Sequence, residues 1–124
     1  MSADWKKFCF GKDLEVEGDD INVRLPGDRF HRVSVYEEDE VYRLVSVVVR
    51  AGIAKEVDNL ALDLSMRNFG TELVGFKLDN RRRLVGETWI PKPGLSSQEF
   101  MTYVRSIAAE CDRYEYQLTG SDIP

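Results

Sequence analysis

The chain carries 124 residues, 43% of them apolar and 31% charged, and 17 Lys and Arg against 22 Asp and Glu leave a net charge of −5. That length predicts one domain, 1–124, able to bury a core without disulfides or a structural metal. The acidic balance argues against a nonspecific nucleic-acid partner, because phosphates would be repelled overall, and apolar runs such as Val47–Val49 are far shorter than the roughly 20 residues of a membrane helix.

The opening "MSADWKKFCF" lacks the apolar run and small-residue cleavage site of a signal peptide, which points to the cytoplasm. "SADWKKFCF", with Gly11 just after it, is too short to specify a helix. Cys9 and Cys111 belong to no CxxC pair and read as two reduced thiols.

From Leu14 to Arg50 the pattern is β. Ile21, Val23 and Leu25 alternate with Asn22 and Arg24 until Pro26-Gly27-Asp28 breaks the strand. Val33 and Val35 alternate with Arg32, Ser34 and Tyr36, and Glu37 to Glu40 form a polar turn. "VYRLVSVVVR" places Val41, Val45, Val47 and Val49 on one face with Leu44 and Val48 on the other, as in a central strand covered on both sides. These three strands predict an antiparallel meander.

The period then changes. Ile53, Val57, Leu60 and Leu64 are spaced by 4, 3 and 4, which predicts a helix stopped by Gly70. Leu62, Met66 and Phe69 add a second apolar row, so the helix needs more than one surface to pack against. Leu73 to Leu78 and Arg83 to Ile90 predict a hairpin turning at Asp79 to Arg82, ended by Pro91 and Pro93.

The last element is the best specified. Ser96 and Glu99 make a capping box, and Leu95 and Phe100 a hydrophobic staple. Phe100, Val104, Ile107, Cys111, Tyr114 and Leu118 form one apolar seam, with Arg105, Asp112, Arg113 and Glu115 off it and Gly120 as the stop. The pattern predicts a helix laid on a sheet with a charged back facing solvent.

Motifs for chemistry are scarce. The single histidine, His31, in an alternating strand, reads as a surface or half-buried residue rather than a ligand. "DLEVEGDD" resembles a calcium loop only until its twelfth position, which is Arg24. Lys6 stands where a phosphate loop ending at Gly11-Lys12 needs its first glycine. There is no GxSxG elbow, and Cys111 lies on the apolar seam. No catalytic, cofactor-binding or metal-binding residue is therefore expected. Arg81-Arg82-Arg83 reads as a solvated turn, or as an anion contact. Trp89 reads as a residue of the core or under the last helix, with an interface as the other reading.

The order β-β-β-α-β-β-α, and above all "RNFGTELVGFKLDNRRRLVGETWIPKPGLSSQEFMTYVRSIAAECDRYEYQL", resembles the YbjN-like proteins, which share the fold of type III secretion chaperones. The likeness lies in a helix end, a hairpin, a P-x-x-GL loop and a last helix with an aromatic near its end. It implies an α+β fold and a small, acidic, cytoplasmic, non-enzymatic protein, typically a homodimer that binds another protein as client or effector. It implies no cofactor, and the family supplies no catalytic residues. On this reading Leu62, Met66, Phe69 and Trp89 are the candidates for a partner or dimer interface. The alternatives are a small anionic ligand, or an enzyme, using a cleft near Trp89 and Arg81 to Arg83, and strand addition at an edge formed by Ile21 to Leu25.

Overall fold

The computed structural model describes residues 4–57, 60, 64 and 74–119. Its frame is one antiparallel sheet of six strands: β1 (Leu14–Glu17), β2 (Asp20–Leu25), β3 (Arg29–Glu37), β4 (Val41–Val49), β5 (Gly75–Leu78) and β6 (Leu84–Pro91). They lie in the order β1-β2-β3-β4-β6-β5, so a four-stranded meander is extended by a hairpin whose second strand joins the sheet first. Two helices are described with it, α1 (Ala51–Ala54) and α2 (Ser97–Thr119), together with a 3₁₀ turn at Asp4–Phe8.

The expected α+β arrangement is present, with a meander one strand longer than the sequence suggested. The added strand is β1, in which Leu14 and Val16 alternate with Glu15 and Glu17; it pairs with β2 through Leu14↔Val23 and Glu17↔Asp20. Gly18, at φ +64, supplies the left-handed corner of the two-residue turn between them. Because β1 lies outside β2, the segment Ile21 to Leu25 is not an edge; the edges are β1 and β5.

Among the described residues, α2 covers one face of the sheet, and the other is exposed in part, at Tyr36 and Trp89 but not at Val85. Ile21, Val23, Val33, Val35, Leu44, Leu84 and Ile90 point beneath α2 and are buried. In β4 the buried row is Tyr42, Leu44, Ser46 and Val48, whereas Arg43, Val45 and Val47 are only half-buried on the opposite face. The expectation that β4 is covered on both sides fails there. The register against β6 shifts between Val47 and Val49, and this irregularity lets neighbouring Val48 and Val49 both be buried.

The helix α2 enters as its sequence dictates. The Ser96 N–H donates to Glu99 Oε1 at 3.0 Å, and the Glu99 N–H donates to Ser96 Oγ at 3.1 Å. This reciprocal box satisfies two amides that would otherwise be orphaned. Phe100, Val104, Ile107, Cys111 and Tyr114 are fully buried against the sheet. The 3₁₀ turn docks on the same helix: Trp5 stacks on Phe100 at 6.2 Å between ring centroids, and Phe8 meets that ring at 5.3 Å. The N-terminal segment is thus ordered by tertiary packing where intrinsic helix propensity is insufficient.

Of the predicted middle helix, Ile53, Leu60 and Leu64 are partly buried and pack against the core. Leu62, Met66, Phe69 and the stop at Gly70 lie outside the described residues, as does Gly120.

Candidate functional site

The open face of the sheet carries a row of three side chains set by strand register. Tyr36 pairs with Arg43 across β3 and β4, and Arg43 pairs with Trp89 across β4 and β6. The Arg43 guanidinium sits 4.6 Å from the Tyr36 ring centre and 5.6 Å from that of Trp89. It also donates to Glu38 at 3.2 Å and to Glu87 at 3.1 Å, and the Trp89 indole N–H donates to Glu87 Oε1 at 3.3 Å. Tyr36 and Trp89 remain 47% and 50% exposed. The row is a pre-ordered aromatic platform whose cation is held in place by two carboxylates.

Trp89 is therefore neither in the core nor under α2. In β6 the positions facing α2 fall to Leu84, Gly86, Thr88 and Ile90, which leaves Val85, Glu87 and Trp89 on the opposite face, where Val85 is buried and Trp89 exposed.

Beside this row runs a trough of about 1190 Å³, floored by Ser34, Val45, Val47 and Val85. It continues past the β5–β6 hairpin tip to the strand ends, where Arg29, His31, Asp112 and Glu115 line it. Arg81 and Arg83 border that end. Arg83 is tied to Asp79 by its backbone N–H at 2.8 Å and its Nε at 2.8 Å, so it holds the turn. Trp89 lies five residues along β6 from Leu84, about 17 Å at the usual rise of a strand. The structure does not bring Trp89 and Arg81 to Arg83 together in one cleft.

The far end of the trough holds a polar cluster that no local sequence motif marks. Asp112 and Glu115 were expected on the solvent side of the last helix, yet each is only 7% exposed. Arg29, at the start of β3, reaches up to Asp112 with 2.6 Å between Nη2 and Oδ2, which allows the carboxylate to be buried. His31, expected at the surface or half-buried, is 9% exposed. Its Nε2 lies 2.9 Å from the Val47 carbonyl oxygen, and its Nδ1 lies 3.9 Å from Asp112 Oδ1. Burial pulls the imidazole pKa below its ordinary value, against the opposing influence of the Val47 hydrogen bond and the Asp112 charge. A signal was available: His31 shares the parity of Val33 and Val35 and so had to point inward with them.

Burial works against thiolate formation at both cysteines. Cys111 is buried on the sheet-facing side of α2 and its pKa is pushed up to about 12 by desolvation; Cys9, half-buried, is pushed up to about 11 for the same reason. Both are free. Among the described residues, no helix is long and apolar enough to cross a membrane.

No family model matches the chain, and no curated protein matches its sequence. Solved structures do. A chain of the ExsC–ExsE complex aligns with a TM-score of 0.61 at 12% identity, covering 94% of this chain and 89% of its own. A chain of the HopA1–SchA chaperone–effector complex aligns with a TM-score of 0.55 at 13% identity, covering 95% and 89%. The complex of the Yersinia pestis type III secretion chaperone SycH with a stable fragment of YscM2 gives a TM-score of 0.52 at 10% identity, covering 87% and 91%. The fold of this chain is that of type III secretion chaperones.

Proposed function

We propose that this chain is a non-enzymatic, cytoplasmic protein-binding module of the chaperone or adaptor kind, working as a homodimer on another protein. The observation that carries this reading is the half-exposed Tyr36–Arg43–Trp89 row on the open sheet face. Aromatic and arginine side chains supply most of the energy at protein interfaces, and here they are already ordered before any partner arrives. The fold supports it, since similar chains occur in complexes with effector or other protein partners. Within that fold, the closer kinship we propose is to the YbjN-like proteins, on the pattern of residues 67–118.

The homodimer rests on the second apolar row, Leu62, Met66 and Phe69, which a two-fold partner would cover. Leu62→Asp should halve the mass measured by light scattering, and an unchanged mass would remove the dimer. For the client, the tagged protein is used to capture partners from its own host's lysate, with a Trp89→Ala variant alongside. The reading expects a near-stoichiometric partner that the variant no longer holds. A partner retained equally by both proteins would move the binding surface elsewhere, and capture of nothing would remove the client.

A further inference from the structure

One imidazole and two carboxylates converge where the start of β3 meets the last turns of α2. His31, Asp112 and Glu115 each place one ligand atom within 4.8 Å of the others, and all three residues are buried. The tautomer of the imidazole follows from its neighbour. The Val47 carbonyl can only accept, so Nε2 carries the hydrogen of the 2.9 Å contact. In the neutral ring Nδ1 then presents a bare lone pair. It faces Asp112 Oδ1, itself an acceptor, at 3.9 Å, which is beyond hydrogen-bond length. Asp112 Oδ2 is committed to Arg29 at 2.6 Å, which orients the carboxylate and turns Oδ1 toward the ring.

Two lone pairs aimed at each other across such a gap repel unless a proton on Nδ1 or a metal ion lies between them. The arrangement also has the outer support that metal-binding imidazoles need, an N–H held by a backbone carbonyl and a carboxylate held by a guanidinium. We propose that His31 Nδ1, Asp112 and Glu115 form a three-ligand site for a divalent metal ion of the zinc class, open on its fourth side to the trough. One imidazole nitrogen and two carboxylates suit zinc, whose donors stand about 2.0–2.2 Å from the metal. Donors at that distance in a tetrahedron are about 3.4 Å apart, so a contraction of roughly half an ångström closes the Nδ1–Oδ1 gap. The ion would tie β3 to α2 and leave one position for water or for a side chain of a bound partner.

The test uses untagged, chelator-treated full-length protein titrated with Zn2+ by calorimetry, and with Co2+ for the visible absorption of a tetrahedral ion. His31→Ala and Glu115→Gln are titrated in parallel, each first shown to keep its circular dichroism. The site predicts one ion per chain, affinity at least tenfold weaker in both variants, and a melting temperature raised by about 10 °C at an ion concentration 100 times the Kd. Absence of saturable uptake would overturn it. So would uptake that either folded variant leaves unchanged, because the ion would then sit elsewhere.

Discussion

Gly86 is the point at which β6 passes directly beneath α2, and the tightness of that passage can be measured. A Cβ built there would collide with the Cys111 sulfur, well inside the 3.5–4.0 Å or so at which nonbonded atoms are at their optimum. It would also stand 3.2 Å from Val74 Cγ1 and 3.3 Å from Phe76 Cε1. The Gly86 backbone is not in the left-handed region, so alanine fits the torsions and would by itself stabilise by about 0.4–1 kcal/mol through the unfolded chain. The collision opposes this with about 1–3 kcal/mol of overpacking, so Gly86→Ala should destabilise by about 1–2 kcal/mol. At roughly 2.1 cal/mol/K per residue over 124 residues, each kcal/mol moves the melting temperature by about 4 °C. Cys111→Ala alone should cost about 1 kcal/mol as lost packing of the sulfur. In that background, however, Gly86→Ala should be close to neutral, because the remaining neighbours need give only a few tenths of an ångström. The assay is a double-mutant cycle by urea denaturation at fixed protein concentration, with a coupling of at least about 1 kcal/mol expected. An equal penalty for Gly86→Ala with or without the sulfur would refute the steric account.

Three further outcomes follow from other contacts. Ser96→Ala should destabilise by about 1 kcal/mol, and Glu99→Gln by less because the amide keeps the reciprocal contact, both read by thermal melts. Asp13 accepts two hydrogen bonds from Arg105, at 2.7 and 2.9 Å, and that interaction lowers its pKa. A carboxyl lowered on folding adds stability above its unfolded pKa, about 3.9, and loses it as pH falls through the folded value. Asp13→Asn should therefore remove a small acid-dependent part of the stability, under about 1 kcal/mol because the pair is partly exposed; a wild-type slope in the variant would contradict this. Trp5 is 2% exposed and Trp89 50%, so acrylamide should quench one indole readily and the other poorly. Trp89→Phe should abolish the quenchable component, and its survival would place Trp89 in the core.

Strand alternation and helix spacing are local, and what depends on them was legible. The meander, the hairpin, the capped helix and its seam all follow from neighbours within a few positions. β1 was obscured because its two apolar residues sit among acids, and only its pairing with β2 makes it a strand. The phase of β6 could not be read from hydrophobicity, since its inward row includes Gly86 and Thr88 while its tryptophan faces out. The face of β4 was misjudged at Val49 because a register shift interrupts the alternation. The polar cluster was hidden by distance along the chain. Asp112 is tolerated inside the protein because of Arg29, 83 residues earlier, and nothing near Asp112 announces that partner.

The contact of Trp5 with Phe100 also sets an order of events during synthesis. The packed face of the meander is complete in sequence at Val49, but the helix that shelters it ends at Thr119, 70 residues later. At about 5–20 residues per second, a nascent chain carries that bare apolar surface for roughly 4–14 s before its cover exists. The N-terminal turn also has to wait, because Trp5 and Phe8 dock on Phe100, in the first turn of α2. Closure of this protein therefore waits on the synthesis of α2, and a ribosome-bound fragment ending before α2 should behave as a client of chaperones in its own right.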